Sequence, residues 1–118
     1  MARVADYVII ADAWQASGGD TIKFTVPDNF HAGSRCVLNF MFNVWTSDDT
    51  TVKVSINGNN VWTWTASGSV EPPMRCIQEV VATDVVKAGE NTFRYHASGS
   101  GYSSSQLSDI VLWFQGTA

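Results

Sequence analysis

Apolar and polar residues alternate along most of the chain with a period of two, which is typical of β-strands with one buried face. In the segment 21–26, Ile22, Phe24 and Val26 share one face, while Thr and Lys occupy the other. No helical periodicity of comparable length occurs. The segments with the strand pattern are residues 6–12, 21–26, 36–45, 51–56, 61–66, 76–83, 91–97 and 108–115.

Turn signals separate these segments. Asn57-Gly58 predicts a tight type I′ hairpin, because that turn needs positive φ at both central residues. Pro27 ends the second segment, and loops rich in small residues cover 67–75 and 98–106. Regularly spaced short strands with such turns predict an all-β fold of about eight antiparallel strands. The length of 118 residues predicts a single domain over 1–118.

The tryptophans do not all fall on the apolar faces. Trp45 shares a face with Asn39 and Asn43, opposite the apolar residues of 36–45. Trp113 lies opposite the apolar residues of 108–115. These positions favour exposed rings over core packing.

Trp62 and Trp64 share one face of 61–66, but the pattern leaves that face undecided by one residue. If Val61, Thr63 and Thr65 point inward, the two rings form a platform for a ligand or a partner. With the opposite register they belong to the core, because a slip of one residue moves every side chain to the other face.

Charge excludes some partners. The net charge is −4, and the seven Lys and Arg residues do not cluster along the sequence. Binding to the phosphates of nucleic acid or to anionic lipid needs a basic face, so neither is expected.

Apolar stretches are too short for a membrane-spanning helix, so no membrane insertion is expected. The start of the chain does not resemble a signal peptide, which favours a cytoplasmic protein, or an extracellular one if a leader has been removed.

Few residues in the sequence suggest catalysis. Cys36 and Cys76 are expected to be buried free thiols, with a disulfide between neighbouring strands as the alternative, and they do not have zinc-site spacing. His31 and His96 are far apart in sequence. Glu79 lies in mid-strand, where a solvated strand face is the favoured interpretation. We therefore expect no catalytic residues.

Three motifs together resemble the galactose-binding-domain-like jelly roll. They are "TVKVSINGNNVW", "VVKAGENTFRYHA" and "SDIVLWFQ", in which Val52 to Gly58, Lys87 to Phe93, and Asp109 to Phe114 occupy the hairpin, the turn with its strand, and the last strand. The resemblance covers roughly residues 20 to 115. It implies an antiparallel jelly-roll β-sandwich with the first and last strands adjacent.

The resemblance also implies function. Members include carbohydrate-binding modules and lectins, and many hold a structural calcium ion near the first strands. Asp20, Asp28 and Asp109 are the candidate ligands for such an ion in this chain. No other cofactor is expected.

We expect a non-catalytic carbohydrate-binding domain, because flat aromatic rings stack on the C–H face of a sugar while amides and charged groups bind its hydroxyls. The alternative is a structural or assembly subunit, a homo-oligomer whose exposed tryptophans contact neighbouring copies. An accessory domain of a larger enzyme is a third interpretation. The predicted ligand-binding residues are Trp45, Trp62, Trp64, Trp113, Tyr102, Asn39, Asn43 and Arg94.

Overall fold

The computed structural model describes residues 2–13, 15–16, 18–66 and 74–118, except for the side chains of 15–20 and of residue 66. Nine strands occur in this part of the chain, and the ninth beyond the expected eight is the two-residue β2. The strands are β1 (Arg3–Ala11), β2 (Gln15–Ala16), β3 (Gly18–Val26), β4 (Cys36–Val44), β5 (Thr50–Ile56), β6 (Asn59–Ala66), β7 (Arg75–Val81), β8 (Gly89–Ser98) and β9 (Ser105–Thr117).

Two antiparallel sheets form the sandwich. The first sheet has the order β1-β9-β4-β7, and β2 also pairs with β9. The second sheet has the order β3-β8-β5-β6. The first and last long strands, β1 and β9, are neighbours, with Tyr7 opposite Trp113. The predicted all-β jelly-roll sandwich is confirmed.

The core lies between the two sheets and comes from the alternation seen in the sequence. Every second residue of β4 and β5 is buried, and the residues between them are half-buried or exposed. The largest fully buried side chains are Phe40, Phe42, Phe93, Leu38, Ile56, Leu107, Ile110 and Leu112. Both sheets contribute to this set, so each depends on the other to bury its apolar face.

The hairpin between β5 and β6 has the predicted geometry, with φ of 51° at Asn57 and 80° at Gly58. The Asn57 side chain also ties the turn to β8. Its amide donates to the Asn91 side chain (2.8 Å) and to the Val85 carbonyl (2.8 Å), and its oxygen accepts from the Thr92 backbone N–H (2.9 Å). Asn91 is almost fully buried, so the hairpin is fixed to the second sheet by a satisfied polar network.

The cysteine prediction is half wrong. Both thiols are free, and Cys36 is buried, but Cys76 is exposed. They lie in the paired strands β4 and β7, where Cys36 is opposite Val81 and Cys76 is opposite Met41. An offset of five residues corresponds to ~17 Å along a strand, which excludes the alternative of a disulfide between the two strands.

Candidate binding surfaces

One row of side chains across the outer face of the first sheet is apolar. Register places Tyr7 opposite Trp113, Trp113 opposite Val37, and Val37 opposite Val80, so these four side chains form one row across the sheet. We call it the Trp113 row. Tyr7, Trp113 and Val80 are 52%, 44% and 59% exposed. The Tyr7 and Trp113 ring centroids are 5.1 Å apart with a tilt of 47°. The row presents paired aromatic rings to the outside.

A recess of about 180 Å³ lies beside this row. Continuing the register of β4 and β9 places Arg35 across from Gln115, next to the pair of Val37 and Trp113. The recess therefore combines one aromatic surface with a guanidinium and an amide. Its lining residues are Ala5, Arg35, Val37, Trp113, Phe114 and Gln115.

The segment before β4 holds the end of β9 in place. Phe30 bridges to Gly116, and the His31 backbone N–H donates to the Gln115 carbonyl at 2.8 Å. The Asn29 side-chain amide donates to the Thr117 carbonyl at 2.9 Å. A Cβ at Gly116 would lie 2.8 Å from the Asn29 amide nitrogen, so a larger residue there would displace the Asn29 side chain. The backbone that carries Gln115 into the recess is therefore fixed.

Asn39 and Asn43 also lie on the outer side of β4, as predicted, and both are half-buried. Asn39 is opposite Val111 and Gln78 on the neighbouring strands. Its side-chain oxygen is buried and has no hydrogen-bond partner among the described residues. Asn39 lies one row away from Trp113, with this oxygen shielded from solvent.

Trp62 and Trp64 point into the sandwich, which corrects their assignment as a ligand platform. A bulge in β6 causes this: Ser55 is opposite Asn60, but Val54 is opposite Trp62, so Val61 has no partner. The extra residue reverses the alternation after the turn. The Trp62 ring meets Phe40 and Phe42 edge-on at 5.1 and 5.2 Å, and Trp64 meets Phe42 at 5.1 Å. Both rings cover the edge of the core.

Trp45 and Tyr102 lie together at one end of the sandwich, away from the recess. β4 ends at Val44, so Trp45 belongs to a loop, and its backbone N–H donates to the Ser104 carbonyl at 3.1 Å. Trp45 is 43% and Tyr102 54% exposed. Gly101 lets the two loops touch, because a Cβ there would lie 2.2 Å from the Thr50 hydroxyl. This end is a second aromatic surface.

Arg94 belongs to neither aromatic surface. It lies on the outer face of the second sheet, opposite Ser55 of β5. The eight predicted ligand-binding residues are thus divided among two outer faces, one end and the core edge. Glu79, expected on a solvated strand face, is instead half-buried on the side of β7 that it shares with Val81.

Asp28 and Asp109, two of the three carboxylates suggested for calcium, lie far apart. Asp28 lies in the turn whose next residues bind Gly116 and Thr117, whereas Asp109 lies at a bulge seven residues earlier in β9. Seven residues span ~23 Å of strand, which is too far for shared coordination. The Asp20 side chain lies outside the described residues. Within the described part of the chain, no three His, Cys, Asp or Glu side chains form a group that could hold a metal ion.

The two antiparallel sheets and their strand order define the class of fold, a jelly-roll β-sandwich, and its outside carries two exposed aromatic surfaces. No protein-family model matches the chain, and no curated protein matches it. Solved structures do resemble it. Dimeric latent PorU from Porphyromonas gingivalis superposes with a TM-score of 0.73 and 12% identity over 97% of this chain, which spans 13% of the PorU chain.

Two carbohydrate-binding modules of family 35 share the fold over nearly their full lengths. One from an environmental isolate gives a TM-score of 0.55 with 11% identity, covering 100% of this chain and 98% of that one. One from Clostridium thermocellum gives 0.51 with 16% identity, covering 95% and 91%. These likenesses establish the jelly-roll fold.

The described residues contain no helix with the length and hydrophobicity to span a lipid bilayer.

Proposed function

We propose that this chain is a non-catalytic carbohydrate-binding domain whose sugar site is the recess beside Trp113. The observation that carries the proposal is the exposed Tyr7–Trp113 ring pair next to Arg35 and Gln115. A sugar ring has a C–H face that stacks on an aromatic ring and a rim of hydroxyls that need donors and acceptors. The recess supplies both kinds of contact within one cavity.

The volume of the recess suits one sugar unit, since pockets for drug-sized ligands are about 300–1,000 Å³ and this one is smaller. The row continues past the recess through Val37 to Val80, so a longer glycan would extend over the outer face of β4. The half-buried Asn39 side chain lies one row away from Trp113 on the same face.

The comparisons with solved structures support carbohydrate binding independently of the geometry of the recess. The titles of two matched structures describe family 35 carbohydrate-binding modules, and a third match, with a TM-score of 0.55, is the C-terminal domain of EclA, a sugar-binding protein. A stable scaffold of this kind can present a stacking ring without any catalytic group.

The test is a glycan array followed by calorimetry on the selected glycan. We expect Trp113→Ala to weaken binding at least tenfold, about 1.4 kcal/mol, because it removes the stacking surface. Trp45→Ala is the matched control, since Trp45 is equally exposed but lies at the end of the sandwich. Wild-type affinity in Trp113→Ala with loss in Trp45→Ala would move the site to that end.

Mass measurement by light scattering accompanies the array. If no glycan binds and the chain forms a defined oligomer that Trp113→Ala dissociates, the Trp113 row is a subunit interface and the carbohydrate proposal is wrong. An exposed apolar row of this width fits either a ligand or a partner.

A further inference from the structure

The edge strands of the two sheets differ in how they are protected from pairing with another strand. In the described part of the chain, the long edge strands are β1 and β7 in the first sheet and β3 and β6 in the second. An unprotected edge is a template for a further strand, and natural proteins interrupt such edges with bulges, prolines or lysines. β1, β3 and β6 each have a shift of register against the neighbouring strand. These three edges are therefore irregular.

β7 is the regular edge strand. It pairs with β4 along its whole length without any shift of register, and its sequence, RCIQEVV, contains neither proline nor lysine. β4 lies on one side of β7, and among the described residues no strand lies on the other side, which we call the β7 edge. Met74, just before the strand, and Val80 within it are 51% and 59% exposed. The β7 edge therefore offers seven residues of unbroken strand to a partner.

Two charged side chains of β7 lack a counter-charge in their own chain. Arg75 is exposed and Glu79 is half-buried, and both lie on the side of the strand that carries the buried Val81. Four residues of strand separate them by ~13 Å, so they cannot pair with each other. Among the described residues the only ion pair joins Lys23 to Glu90. A carboxylate partly withdrawn from water is thus without a cation in the described part of the chain.

A second copy of the chain supplies that cation through the same strand. If two β7 strands pair antiparallel about a two-fold axis at Ile77, Arg75 of each copy is opposite Glu79 of the other. Opposite charges directly across a strand pair stabilise it, and like charges destabilise it. An axis at Arg75 or at Glu79 would place like charges opposite each other, and an axis at Cys76 or Gln78 would give neither charge a charged partner. The sequence of β7 is therefore self-complementary in one register.

We propose that the chain forms a homodimer by antiparallel pairing of two β7 edges, in the register that joins Arg75 of each copy to Glu79 of the other. The first sheets of the two copies then become one continuous sheet. Both Trp113 recesses lie on the outer face of that sheet, and two linked sites raise the apparent affinity for a surface that carries many copies of a glycan. This gain in affinity rests on the proposed function, whereas the dimer depends only on β7.

The experiment is sedimentation equilibrium of the full chain over a series of concentrations, without any glycan. We expect a monomer–dimer equilibrium that Arg75→Glu and Glu79→Arg each weaken at least tenfold, because each places like charges opposite each other. The exchanged variant Arg75→Glu/Glu79→Arg should restore the dimer. Lys53→Glu is the matched control, since it makes the same change of net charge as Arg75→Glu at an exposed position of the second sheet, and it should leave the dimer unchanged.

A cysteine pair tests the register. In the proposed register Gln78 is opposite Cys76 of the other copy, and directly opposite residues have Cα atoms about 4.5–5.5 Å apart, within the range of a disulfide. Gln78→Cys should therefore give a disulfide-linked dimer with oxidised glutathione, seen as a doubled mass on a non-reducing gel. Gln78→Cys/Cys76→Ser is the control, because its remaining exposed thiols are diagonal neighbours about 7–8 Å apart and should not link.

Several outcomes would overturn the dimer. A chain that stays monomeric up to about 1 mM would mean that the inward charges of β7 protect this edge from pairing. A dimer that neither charge reversal weakens, or a folded exchange variant that stays monomeric, would also contradict the register. Trp113→Ala separates the two proposals: a dimer that only this variant dissociates lies on the Trp113 row. A dimer with the expected charge dependence in a chain that binds no glycan supports the β7 contact and shows that the carbohydrate proposal is wrong.

Discussion

The outer faces of the two sheets differ although both sheets arise from the same alternating pattern. Tyr7, Ile9, Trp113 and Val80 are exposed on the first sheet. Among the described residues of the second sheet, no large hydrophobic side chain is exposed, and its outer face presents Thr, Ser, Lys and Arg. The alternation of apolar and polar residues along a strand therefore indicates which of its sides faces the core. The side chains on the opposite side indicate whether that side suits solvent or a ring-stacking ligand.

The largest effect is expected where the two sheets meet. Phe42 is fully buried on the first sheet and contacts the Trp62 and Trp64 rings of the second. We expect Phe42→Ala to lower the free energy of unfolding by about 3–5 kcal/mol, because it leaves a cavity between the sheets. Urea denaturation followed by tryptophan fluorescence measures this loss.

Phe42→Leu is the control for Phe42→Ala, since it retains most of the apolar volume and is expected to cost much less. A loss below about 1 kcal/mol in Phe42→Ala would show that the sheets do not depend on this contact, against the large values found for buried aromatic truncations.

The buried faces of the two sheets can be compared by alkaline titration. Burial raises the pKa of Tyr95 to about 12, while its hydrogen bond with the Ser105 hydroxyl lowers the pKa by less. Burial also raises the pKa of Cys36 to about 11. Tyr95 belongs to the second sheet and Cys36 to the first.

In both groups the folded state holds the proton more tightly than the unfolded state does. The stabilisation is therefore complete below the ordinary pKa and is lost as the pH rises, from about 10 to 12 for Tyr95 and from about 9 to 11 for Cys36. Two pKa units correspond to roughly 3 kcal/mol per group. We expect Tyr95→Phe to flatten the upper part of the stability–pH curve and Cys36→Ala the lower part. Unchanged curves in both variants would contradict this assignment.

The hydrogen-bond network of Asn57 lies at the β5–β6 hairpin and stabilises only the second of the two sheets. We expect Asn57→Gly to cost about 1–3 kcal/mol, because glycine tolerates the positive φ but loses three hydrogen bonds to β8 and the preceding turn. Because the hairpin lies on the second sheet, glycan binding at Trp113 on the first sheet should persist. Thermal unfolding and calorimetry with the selected glycan measure the two effects.

Asn59→Gly is the matched control for Asn57→Gly, because Asn59 lies on the same hairpin but is exposed and makes only long contacts of 3.3 and 3.4 Å. Equal losses in the two variants would mean that the hairpin is sensitive to glycine itself and not to the Asn57 network.

Local sequence patterns were sufficient to predict the features of the fold that depend only on residues close together along the chain. The inward faces of 36–45 and 108–115 and the positive φ at Asn57-Gly58 are confirmed, because period two and turn chemistry are local properties. The inward orientation of Trp62 was not decided by the sequence. It depends on the unpaired Val61, and a bulge next to a turn leaves no signature in an alternating segment.

The neighbours of each candidate site residue depend on strand order, which local patterns do not specify. Lys53 and Arg94 are 41 residues apart and meet only because β5 pairs with β8. Tyr7 and Trp113 meet because the first long strand pairs with the last, which the resemblance to the jelly roll did predict. The sequence therefore indicated Trp113 and Arg94 as separate binding residues, and long-range pairing determines which neighbours each one has.

The smallest expected effects are the coupling energies of two exposed side-chain pairs, one on the outer face of each sheet. The Tyr7 and Trp113 rings touch on the first sheet, and Lys23 and Glu90 form a 3.7 Å ion pair on the second, with side chains 70% and 66% exposed. Double-mutant cycles with alanine should give a coupling energy of about 0.5–1.5 kcal/mol for the ring pair. For the ion pair we expect at most about 0.5 kcal/mol, which salt removes, because water screens exposed charges. A ring coupling that vanishes in salt, or an ion-pair coupling larger than the ring coupling, would contradict the distinction between an apolar contact face and a solvated polar face.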